Sequence, residues 1–323
     1  MKTIVIKFGG SSLADPDKIR RAAAAVLAVK CASRFPVAVV SAPADSTDDL
    51  LSLARLCGGD RTPPREADAL MAAGEQVSAA LLAAAAADLG GRAVSLTGRQ
   101  AGIRTDSGFS SAAVLSVDTA RLRREMRAGN IPVVAGFQGS DKRGDITTLG
   151  RGGSDLTAVV LAGALRAEVC EFRTDVKGIY TAHPAIVPEA RRIARISYGE
   201  VLSLARLGTE VRQLRAVAYA ARHSIPLHLR SAFHDEPGTL VTARGGGPGV
   251  SCLSLVKDGR RARIGLVGAG LGRVHAAAAL EAAGPAARAC SASGAEIIVS
   301  VPAASAEGTV RALHRLFFPG SRG

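Results

Sequence analysis

The stretch KTIVIKFGGSS, residues 2–12, starts with the apolar run Ile4–Ile6 and ends in a lysine, two glycines and two serines. The apolar run predicts a buried strand, and a strand that only completed a core would have no use for a cation at its carboxyl end. Glycines let the backbone approach a ligand and point N–H groups at phosphate oxygens. The stretch therefore predicts a strand, a tight turn and a helix N-terminus, which the two serines could cap, that together bind an anion.

A surface lysine at an ordinary strand-to-helix turn is the alternative interpretation of this stretch, which is not a P-loop because GxxxxGK[ST] is absent. A second glycine-rich turn, TTLGRGGSD at residues 147–155, favours the anion site. Its Arg151 offers a planar guanidinium that suits a carboxylate, whereas Asp155 could be a plain helix N-cap. Because parallel-sheet ligands bind at the carboxyl ends of strands, we expect both turns in one phosphoryl-transfer site.

The order of the predicted elements indicates the fold class. Strand-like runs alternate with helical patterns through about the first 240 residues, which predicts βαβ units and a mostly parallel sheet. After the glycine-rich stretch 245–249 the pattern changes to a βαββα order, typical of a small α+β module. We expect a three-layer αβα sandwich over residues 1–244 and a separate module over residues 250–323.

The composition argues against several classes of protein. The chain has 41 basic and 28 acidic residues, a net charge of +13. This excess makes nucleic-acid binding worth considering. The basic residues are spread along the chain, however, and only 3% of residues are aromatic, so we expect no nucleic-acid partner. The five cysteines show no CxxC spacing, which favours reduced thiols over disulfides or a zinc site. Reduced thiols are typical of a cytoplasmic protein, which we expect here. No apolar run approaches the roughly 18 residues of a membrane span, so we expect no membrane partner.

The chain resembles the aspartate kinases of the amino-acid kinase family, and the resemblance extends along nearly all of it. The motifs occur in family order: KFGGSS (7–12), SAPADSTDDL (41–50), MAAGEQVSAALL (71–82), LTGRQAG (96–102), VVAGFQG (133–139), TTLGRGGSD (147–155), RTDVKGIYTAHP (173–184) and RSAFHDEPGTLV (230–241). The resemblance implies the amino-acid kinase fold and ATP-dependent phosphorylation of the side-chain carboxylate of L-aspartate. The product, 4-phospho-L-aspartate, would enter lysine and threonine biosynthesis.

The resemblance also implies roles for individual residues. Lys7 would bridge the phosphates and stabilise the transferred phosphoryl group, and Asp155 would hold Lys7 in place. Arg151 would bind the α-carboxylate of aspartate, and Glu75 would accept its ammonium group. Mg²⁺ would accompany ATP, held mainly by phosphates and not by a protein metal site. The other predicted site residues are Gly9, Gly10 and Ser11 (phosphate N–H donors), Thr47 and Ser154 (substrate), and Ser41, Thr174, Asp175 and Tyr180 (nucleotide).

Three positions depart from the family near the predicted nucleotide site. His183 replaces an acid and Ala185 an arginine, while Glu210 stands where the family has a lysine. One such charge at ~4 Å and an effective dielectric near 20 is worth roughly 4 kcal/mol before solvent relaxation. Lys177 and Arg212 are the nearby cations that could compensate. The departures leave open a catalytically weak or substrate-shifted homologue, acting on another acidic amino acid, in a specialised pathway or as a regulatory subunit.

The C-terminal region departs from the family as well. Aspartate kinases usually end in two ACT modules, which bind feedback amino acids, whereas residues 261–318 resemble only the second module. The resemblance implies a ferredoxin-like ACT module, an absent first module across which VSCLSLVKDG (250–259) connects the chain, and weak inhibition by lysine or threonine. It also implies a homodimer formed through this module or the kinase domain.

The glycines of LVGAGLG, residues 266–272, have G-x-G-x-G spacing and not the dinucleotide-binding fingerprint.

Overall fold

The computed structural model of the protein describes residues 2–32, 34–44, 46–208 and 214–320. Its strands are β1 Thr3–Phe8, β2 Phe35–Val40, β3 Ala93–Leu96, β4 Ile103–Thr105, β5 Val114–Val117, β6 Ile131–Ala135, β7 Gln138–Ser140, β8 Ile146–Thr148, β9 Val169–Thr174, β10 Arg195–Ser197, β11 Leu227–Ser231, β12 Thr239–Thr242, β13 Gly249–Asp258, β14 Arg261–Ala269, β15 Arg288–Ala292 and β16 Glu296–Pro302. Its α-helices are α1 Pro16–Cys31, α2 Ser46–Gly58, α3 Pro64–Asp88, α4 Ala120–Arg127, α5 Gly153–Leu165, α6 Tyr198–Arg206, α7 Leu214–Arg222, α8 Arg273–Ala283 and α9 Ala306–Phe317.

The chain divides into two compact units. Unit 1 comprises Met1–Lys177 with Ile225–Glu236, and unit 2 comprises Gly178–Ser224 with Pro237–Gly323. Unit 2 therefore includes a segment that the sequence analysis assigned to the first domain, because Ala182 and Val187 belong to the same apolar core as the C-terminal strands and helices. The division into residues 1–244 and 250–323 stays a prediction.

A parallel sheet forms the centre of unit 1, as the alternating pattern predicted. Its strands lie in the order β11-β9-β1-β2-β6-β3, and every neighbouring pair is parallel. All six residues of β1 are buried because strands flank it on both sides and helices cover both of its faces. In register, Lys7 lies opposite Val39 of β2 and Phe172 of β9. The lysine thus projects from a central strand near its carboxyl end.

Helices cover both faces of this sheet. On one face, Ile6 packs into a core with Val26 of α1 and Leu82 of α3. Because side chains alternate along a strand, Lys7 points to the opposite face, where its partner Asp155 lies on α5. The result is the expected three-layer αβα sandwich with a mostly parallel central sheet.

The helix α3 is long and apolar enough, by length and composition alone, to cross a membrane. This corrects the expectation that no apolar run approaches the length of a span. The helix nevertheless carries two buried carboxylates, Asp68 and Glu75, and its apolar residues Ala72, Ala79 and Leu82 are buried as well. A core helix meets the same criterion, and the packing of α3 against β3 and β6 is that of a core helix.

A second, four-stranded sheet completes unit 1, with the strand order β5-β4-β7-β8. Its pairs β4–β5 and β7–β8 are antiparallel. Thr148 is the last residue of β8, so the glycines of the second glycine-rich turn follow directly after this small sheet.

Unit 2 contains an antiparallel sheet with the strand order β13-β14-β16-β15 and the helices α8 and α9. The predicted βαββα order corresponds to β14, α8, β15, β16 and α9. The sequence analysis missed β13, which covers residues that it took for a connecting segment. Unit 2 also holds the parallel pair β10–β12.

Candidate active site

Lys7 and Asp155 form a buried ion pair at the carboxyl end of β1. The Lys7 Nζ lies 2.7 Å from the Asp155 Oδ1, and the two residues are only 8% and 5% exposed. The alternative of a surface lysine is therefore wrong. The alternative of a plain N-cap for Asp155 is also wrong, since Gly152 is the N-cap residue of α5. The pair joins the first strand of the chain to the first turn of α5.

Burial of the Lys7–Asp155 pair removes the hydration of both charges. Two charges removed from water need good geometry and further hydrogen bonds to offset their lost hydration. Asp155 gains additional stabilisation from its place in the first turn of α5, where the helix dipole favours negative charge. The Lys7 ammonium is thus held in one direction by a fixed carboxylate, with donors left over beyond the one that faces Asp155.

The first glycine-rich turn lies directly beside the ammonium group. A Cβ built on Gly9 would lie 3.7 Å from the Lys7 Nζ, and one on Gly10 would lie 2.9 Å from the Ala42 carbonyl oxygen. Only glycine fits at the second position without displacing the backbone that follows β2. The turn continues as the 3₁₀ helix Gly10–Leu13 and not directly as α1.

Ser11 and Ser12 therefore do not cap α1, contrary to what the sequence suggested. The cap of α1 is Asp15, whose carboxylate accepts a hydrogen bond of 2.8 Å from the Lys18 N–H. Ser11 is exposed. The buried Ser12 Oγ has no hydrogen-bond partner among the described residues.

The second glycine-rich turn meets the ends of two further parallel strands. Gly150 and Gly152 adopt left-handed backbone angles, with φ of 74° and 72°, which L side chains rarely accept. A Cβ on Gly136, just after β6, would lie 2.9 Å from both the Ser154 Cβ and the Val40 carbonyl oxygen. The start of α5 is therefore packed against the carboxyl ends of β2 and β6. Arg151 stands exposed at the top of the turn.

Glu75 reaches the same place from α3. Its Oε1 accepts a hydrogen bond of 3.1 Å from the Ala42 N–H, whereas its Oε2 has no hydrogen-bond partner among the described residues. Burial raises the pKa of Glu75 to about 7, and the N–H of Ala42 and the charge of Lys7 oppose that rise. The result is a carboxyl group that is close to half ionised at neutral pH and has an oxygen available to a cationic partner.

Two other predicted residues, Ser41 and Thr47, lie close to this cluster. The Ser41 N–H donates to the Phe8 carbonyl oxygen at 3.2 Å and so ties together the ends of β1 and β2. A Cβ on Gly74 would lie 3.4 Å from the Ser46 Oγ, which places the start of α2, with Thr47, beside the turn of α3 that carries Glu75.

The predicted nucleotide residues are divided between the two units. Thr174 ends β9 and is buried, and its carbonyl oxygen accepts a hydrogen bond of 2.6 Å from the Ala232 N–H. Asp175 follows it and is exposed. Tyr180 belongs to unit 2, where it forms a β-bridge with Arg192. The roles of these residues stay predictions.

Sequence reasoning missed a buried carboxylate, Asp68, that also supports the site. Asp68 has no exposed surface and accepts hydrogen bonds from Ser110 and Thr148. It lies seven residues before Glu75, so both belong to one face of α3. The seven-residue spacing of these two acids among mostly apolar helix residues is the signal that could have found it.

The departures from the family pattern occupy different settings. His183 and Ala185 are exposed in unit 2, and the His183 Nδ1 accepts a hydrogen bond of 3.2 Å from the Ala185 N–H. The Lys177 Nζ lies 2.7 Å from the Glu236 Oε1, so its charge is already paired with a carboxylate. Glu210 and Arg212 lie outside the described residues.

Comparisons with known proteins identify the family to which the chain is related. A model of the amino acid kinase family matches residues 2–231. The chain is 50% identical over 242 residues to an aspartokinase of Mycolicibacterium smegmatis, and the match covers 75% of this chain and 57% of that relative. The chain therefore matches less than two thirds of that relative's length.

Solved structures show the same fold. E. coli aspartokinase III in complex with lysine and aspartate matches with a TM-score of 0.85 and 24% identity over 98% of this chain and 100% of that chain. The same enzyme in complex with aspartate and ADP matches with a TM-score of 0.77 and 24% identity, over the same shares of the two chains.

Proposed function

The chain belongs to the amino acid kinase family, and from that premise we propose that it transfers the γ-phosphoryl group of ATP to the side-chain carboxylate of L-aspartate. The products are 4-phospho-L-aspartate and ADP. The observation that carries the proposal is the buried Lys7–Asp155 ion pair between two glycine-rich turns. Similarity to aspartokinases, one of them in complex with aspartate and ADP, supports the choice of substrates.

The chemistry asks little of the protein beyond position and charge. The nucleophile is a carboxylate with an ordinary pKa near 3.9, so it is ionised at neutral pH and needs no general base. The protein has to bring two anions together in line and neutralise charge on the phosphoryl group as it moves.

Lys7 meets the second requirement. Its ammonium group is held by Asp155 and lies beside Gly9, where the absent side chain leaves room for an anion. Preorganised donors of this kind need no rearrangement during the reaction, and they act strongly where water is excluded. Gly10 and Ser11 continue the turn and would add backbone N–H groups.

Glu75 and Arg151 meet the first requirement at the amino-acid side. The Glu75 Oε2 would accept the substrate ammonium group, since Oε1 is already bonded to Ala42. Arg151 would bind the α-carboxylate through its planar guanidinium. Thr47 and Ser154 would line this half of the site.

The residues fit a nucleotide polyphosphate with Mg²⁺. The turn at Gly10 has no room for a side chain, and Lys7 supplies a compact positive charge for phosphate. ATP supplies the phosphoryl group, and Mg²⁺ neutralises phosphate charge. No group of three or more metal-binding side chains stands together in the described part of the chain, so phosphate oxygens would be the main ligands of the ion. Ser41, Thr174, Asp175 and Tyr180 are proposed nucleotide contacts.

The wider assignments are proposals of the same kind. They comprise a kinase domain over residues 1–244, a single ACT-like module over residues 250–323, a homodimer, a cytoplasmic location and a role in lysine and threonine biosynthesis. Support comes from the antiparallel sheet with two helices near the C-terminus and from the similarity to aspartokinases.

A hydroxamate assay tests the proposal directly. Incubation with L-aspartate, Mg-ATP and hydroxylamine should trap the acyl phosphate as aspartyl hydroxamate, with an equal amount of ADP. Parallel reactions with L-glutamate and 2-aminoadipate should yield far less, because a side chain that is one or two methylene groups longer would place its carboxylate out of line with the phosphoryl group. Absence of hydroxamate with L-aspartate would contradict the proposal, and preference for a longer amino acid would shift the substrate.

A further inference from the structure

Asp68 is a buried carboxylate without a cationic partner in the described part of the chain. Both of its oxygens accept hydrogen bonds from the Ser110 N–H, at 3.0 and 2.9 Å. The Thr148 N–H donates to Oδ2 at 2.7 Å, and the Thr148 hydroxyl donates to Oδ1 at 2.8 Å. The side chain thus accepts hydrogen bonds from two segments that are distant from it in sequence, the loop at Ser110 and the end of β8.

Burial of the Asp68 carboxylate is unfavourable in free energy compared with burial of an apolar side chain. An ionised carboxylate loses much of its hydration on burial, and only several well-aligned donors can offset that loss. An apolar side chain of similar volume would avoid this cost. The arrangement therefore points to control of backbone position and not merely to packing.

The backbone that Asp68 holds is the base of the second glycine-rich turn. Thr148 lies three residues before Arg151, and its carbonyl oxygen accepts a hydrogen bond of 2.9 Å from the Ala112 N–H. The next N–H group, that of Leu149, donates to the Phe137 carbonyl oxygen at 2.8 Å. The base of the turn is therefore bonded to three neighbouring segments, and Asp68 supplies the link to α3.

The same helix carries the proposed ammonium acceptor. Asp68, Ala72 and Glu75 lie on one face of α3, and the Ala72 carbonyl oxygen accepts a hydrogen bond of 2.9 Å from the Gln138 side chain. Seven residues of helix separate Asp68 from Glu75 by about 10 Å. A rigid helix therefore connects the group that holds the Arg151 turn to the group that would bind the substrate ammonium.

We infer that Asp68 is a positioning residue, which holds the Arg151 turn at a fixed distance from Glu75 so that the two can bind the α-carboxylate and α-ammonium of one amino acid. This inference rests on the proposed function. It assigns to Asp68 control of amino-acid affinity and not of the phosphoryl-transfer step.

The variant Asp68→Asn tests the inference. The amide removes the negative charge and replaces one acceptor oxygen with an N–H₂ group that faces the Ser110 N–H, which cannot accept, so the hydrogen bonds that hold the turn are weakened. The KM for L-aspartate should rise about tenfold or more, as expected when a buried donor loses its partner. The KM for ATP should stay within about twofold of wild type, since Lys7 and the first turn are not bonded to Asp68.

A second measurement needs no substrate. Amide hydrogen exchange in the ligand-free protein should become faster at Thr148, Leu149 and Gly153 in Asp68→Asn, while Lys7 and its neighbours in β1 stay protected. The smaller change Thr148→Val removes only the hydroxyl donor. It should raise the KM for L-aspartate by about threefold, and it provides the test if Asp68→Asn does not fold.

Asp141→Asn is the matched control. Asp141 is also a buried carboxylate, and it accepts hydrogen bonds from the Ser107 hydroxyl and from the N–H groups of Arg143 and Asp145. It lies just after β7 and holds the turn between β7 and β8, not the one that carries Arg151. This variant should lower the melting temperature and leave both KM values unchanged.

The outcomes separate the inference from the proposed function. If wild type phosphorylates L-aspartate and Asp68→Asn, or Thr148→Val in its place, lowers only the yield of folded enzyme, with both KM values unchanged, the inference is wrong and the proposed function stands. An equal rise of both KM values would also overturn it. If wild type does not phosphorylate L-aspartate, the proposed function fails and the inference about affinity fails with it. Faster exchange at the turn would then show only that Asp68 holds the backbone.

Discussion

Two regions of the molecule differ in whether their polar atoms have hydrogen-bond partners. One lies at the carboxyl ends of the parallel strands in unit 1, and the other is the segment 178–193 in unit 2. In unit 1, the buried Ser12 Oγ and Glu75 Oε2 have no hydrogen-bond partner among the described residues. In unit 2, the Thr181 hydroxyl lies 2.9 Å from the His314 Nε2 and accepts a hydrogen bond of 3.0 Å from the Arg191 N–H. One region has polar atoms available to a ligand, whereas the other uses them to hold itself together.

This difference separates chemistry from support. A group that is fixed in place but not satisfied can bind a ligand without rearrangement, which is the basis of electrostatic preorganisation. A satisfied network stabilises the fold instead and gives its members less freedom to bind anything else. We therefore expect substitutions at the strand ends of unit 1 to change catalysis, and substitutions around Thr181 to change stability.

The largest effect should come from Lys7→Ala. Loss of the ammonium group removes the charge beside the first glycine turn, so hydroxamate formation should fall by about a thousandfold or more. The protein should also become less stable by about 3 kcal/mol or more, because Asp155 stays buried without its cation. Turnover and thermal unfolding measure the two effects separately.

Lys18→Ala is the control for this substitution. Lys18 also pairs with an aspartate, Asp15, at 3.0 Å, but both side chains are substantially exposed. Its replacement should leave turnover unchanged. Retention of more than about a tenth of wild-type turnover by Lys7→Ala would move the phosphate site elsewhere.

Glu75→Gln should have the next largest effect. Glutamine cannot offer a negative charge to the substrate ammonium group, so the KM for L-aspartate at pH 8 should rise by about tenfold or more. Glu66→Gln, at an exposed position of the same helix, should leave it unchanged.

The pH dependence sharpens this prediction. The pKa of Glu75 is raised to about 7 by burial, so the group is increasingly protonated, and neutral, as the pH falls below that value. The wild-type KM for L-aspartate should therefore rise as the pH falls from 8 to 6, toward a limit of about tenfold per pH unit. Glu75→Gln should show no such rise. A wild-type KM that is constant over this range would exclude Glu75 as the ammonium acceptor.

The smallest effect should come from His314 in unit 2. Burial lowers the pKa of His314 below its usual 6.5; Glu189 opposes this shift and Arg191 adds to it. The folded state thus favours the neutral ring, and its stabilising contribution is fully present above pH 6.5 and is lost as the pH falls. His314→Gln keeps an amide donor near Thr181 but cannot take up a proton.

Melting temperatures between pH 7.5 and pH 5 test this expectation. The wild-type melting temperature should fall more steeply with acid than that of His314→Gln, while turnover at pH 8 should be the same in both proteins. Parallel pH profiles would show that protonation of His314 does not oppose folding. A loss of turnover at pH 8 would break the proposed division between chemistry and support.

Local patterns in the sequence predicted much of this site. The apolar run before Lys7 predicted the central strand, and the glycines around Arg151 predicted a turn whose left-handed angles exclude most side chains. These features depend on residues that are adjacent in sequence, so a short stretch of sequence is enough to predict them. The pairing of Lys7 with Asp155 was expected only from the family resemblance.

Contacts between residues that are far apart in sequence could not be predicted from short sequence patterns. The carboxylate of Asp68 accepts a hydrogen bond from Thr148 across 80 positions of the chain, so the spacing of acids in α3 could have pointed to Asp68 but not to this partner. Ala182 and Val187 pack in one core with C-terminal strands that are also distant from them in sequence. For this reason Gly178–Ser224, which the sequence analysis assigned to the kinase domain, belongs to unit 2. The strand β13 was missed because residues 250–259 were interpreted as a connection across an absent module.

Calorimetric titration of Mg-ATP into wild type and Lys7→Ala tests most directly whether the ammonium group and the glycine turns bind a polyphosphate. The account predicts a single nucleotide site per wild-type chain, from which magnesium tripolyphosphate displaces ATP, and little or no binding to folded Lys7→Ala. Equal affinity of the two proteins for Mg-ATP, or no binding to wild type, would contradict it.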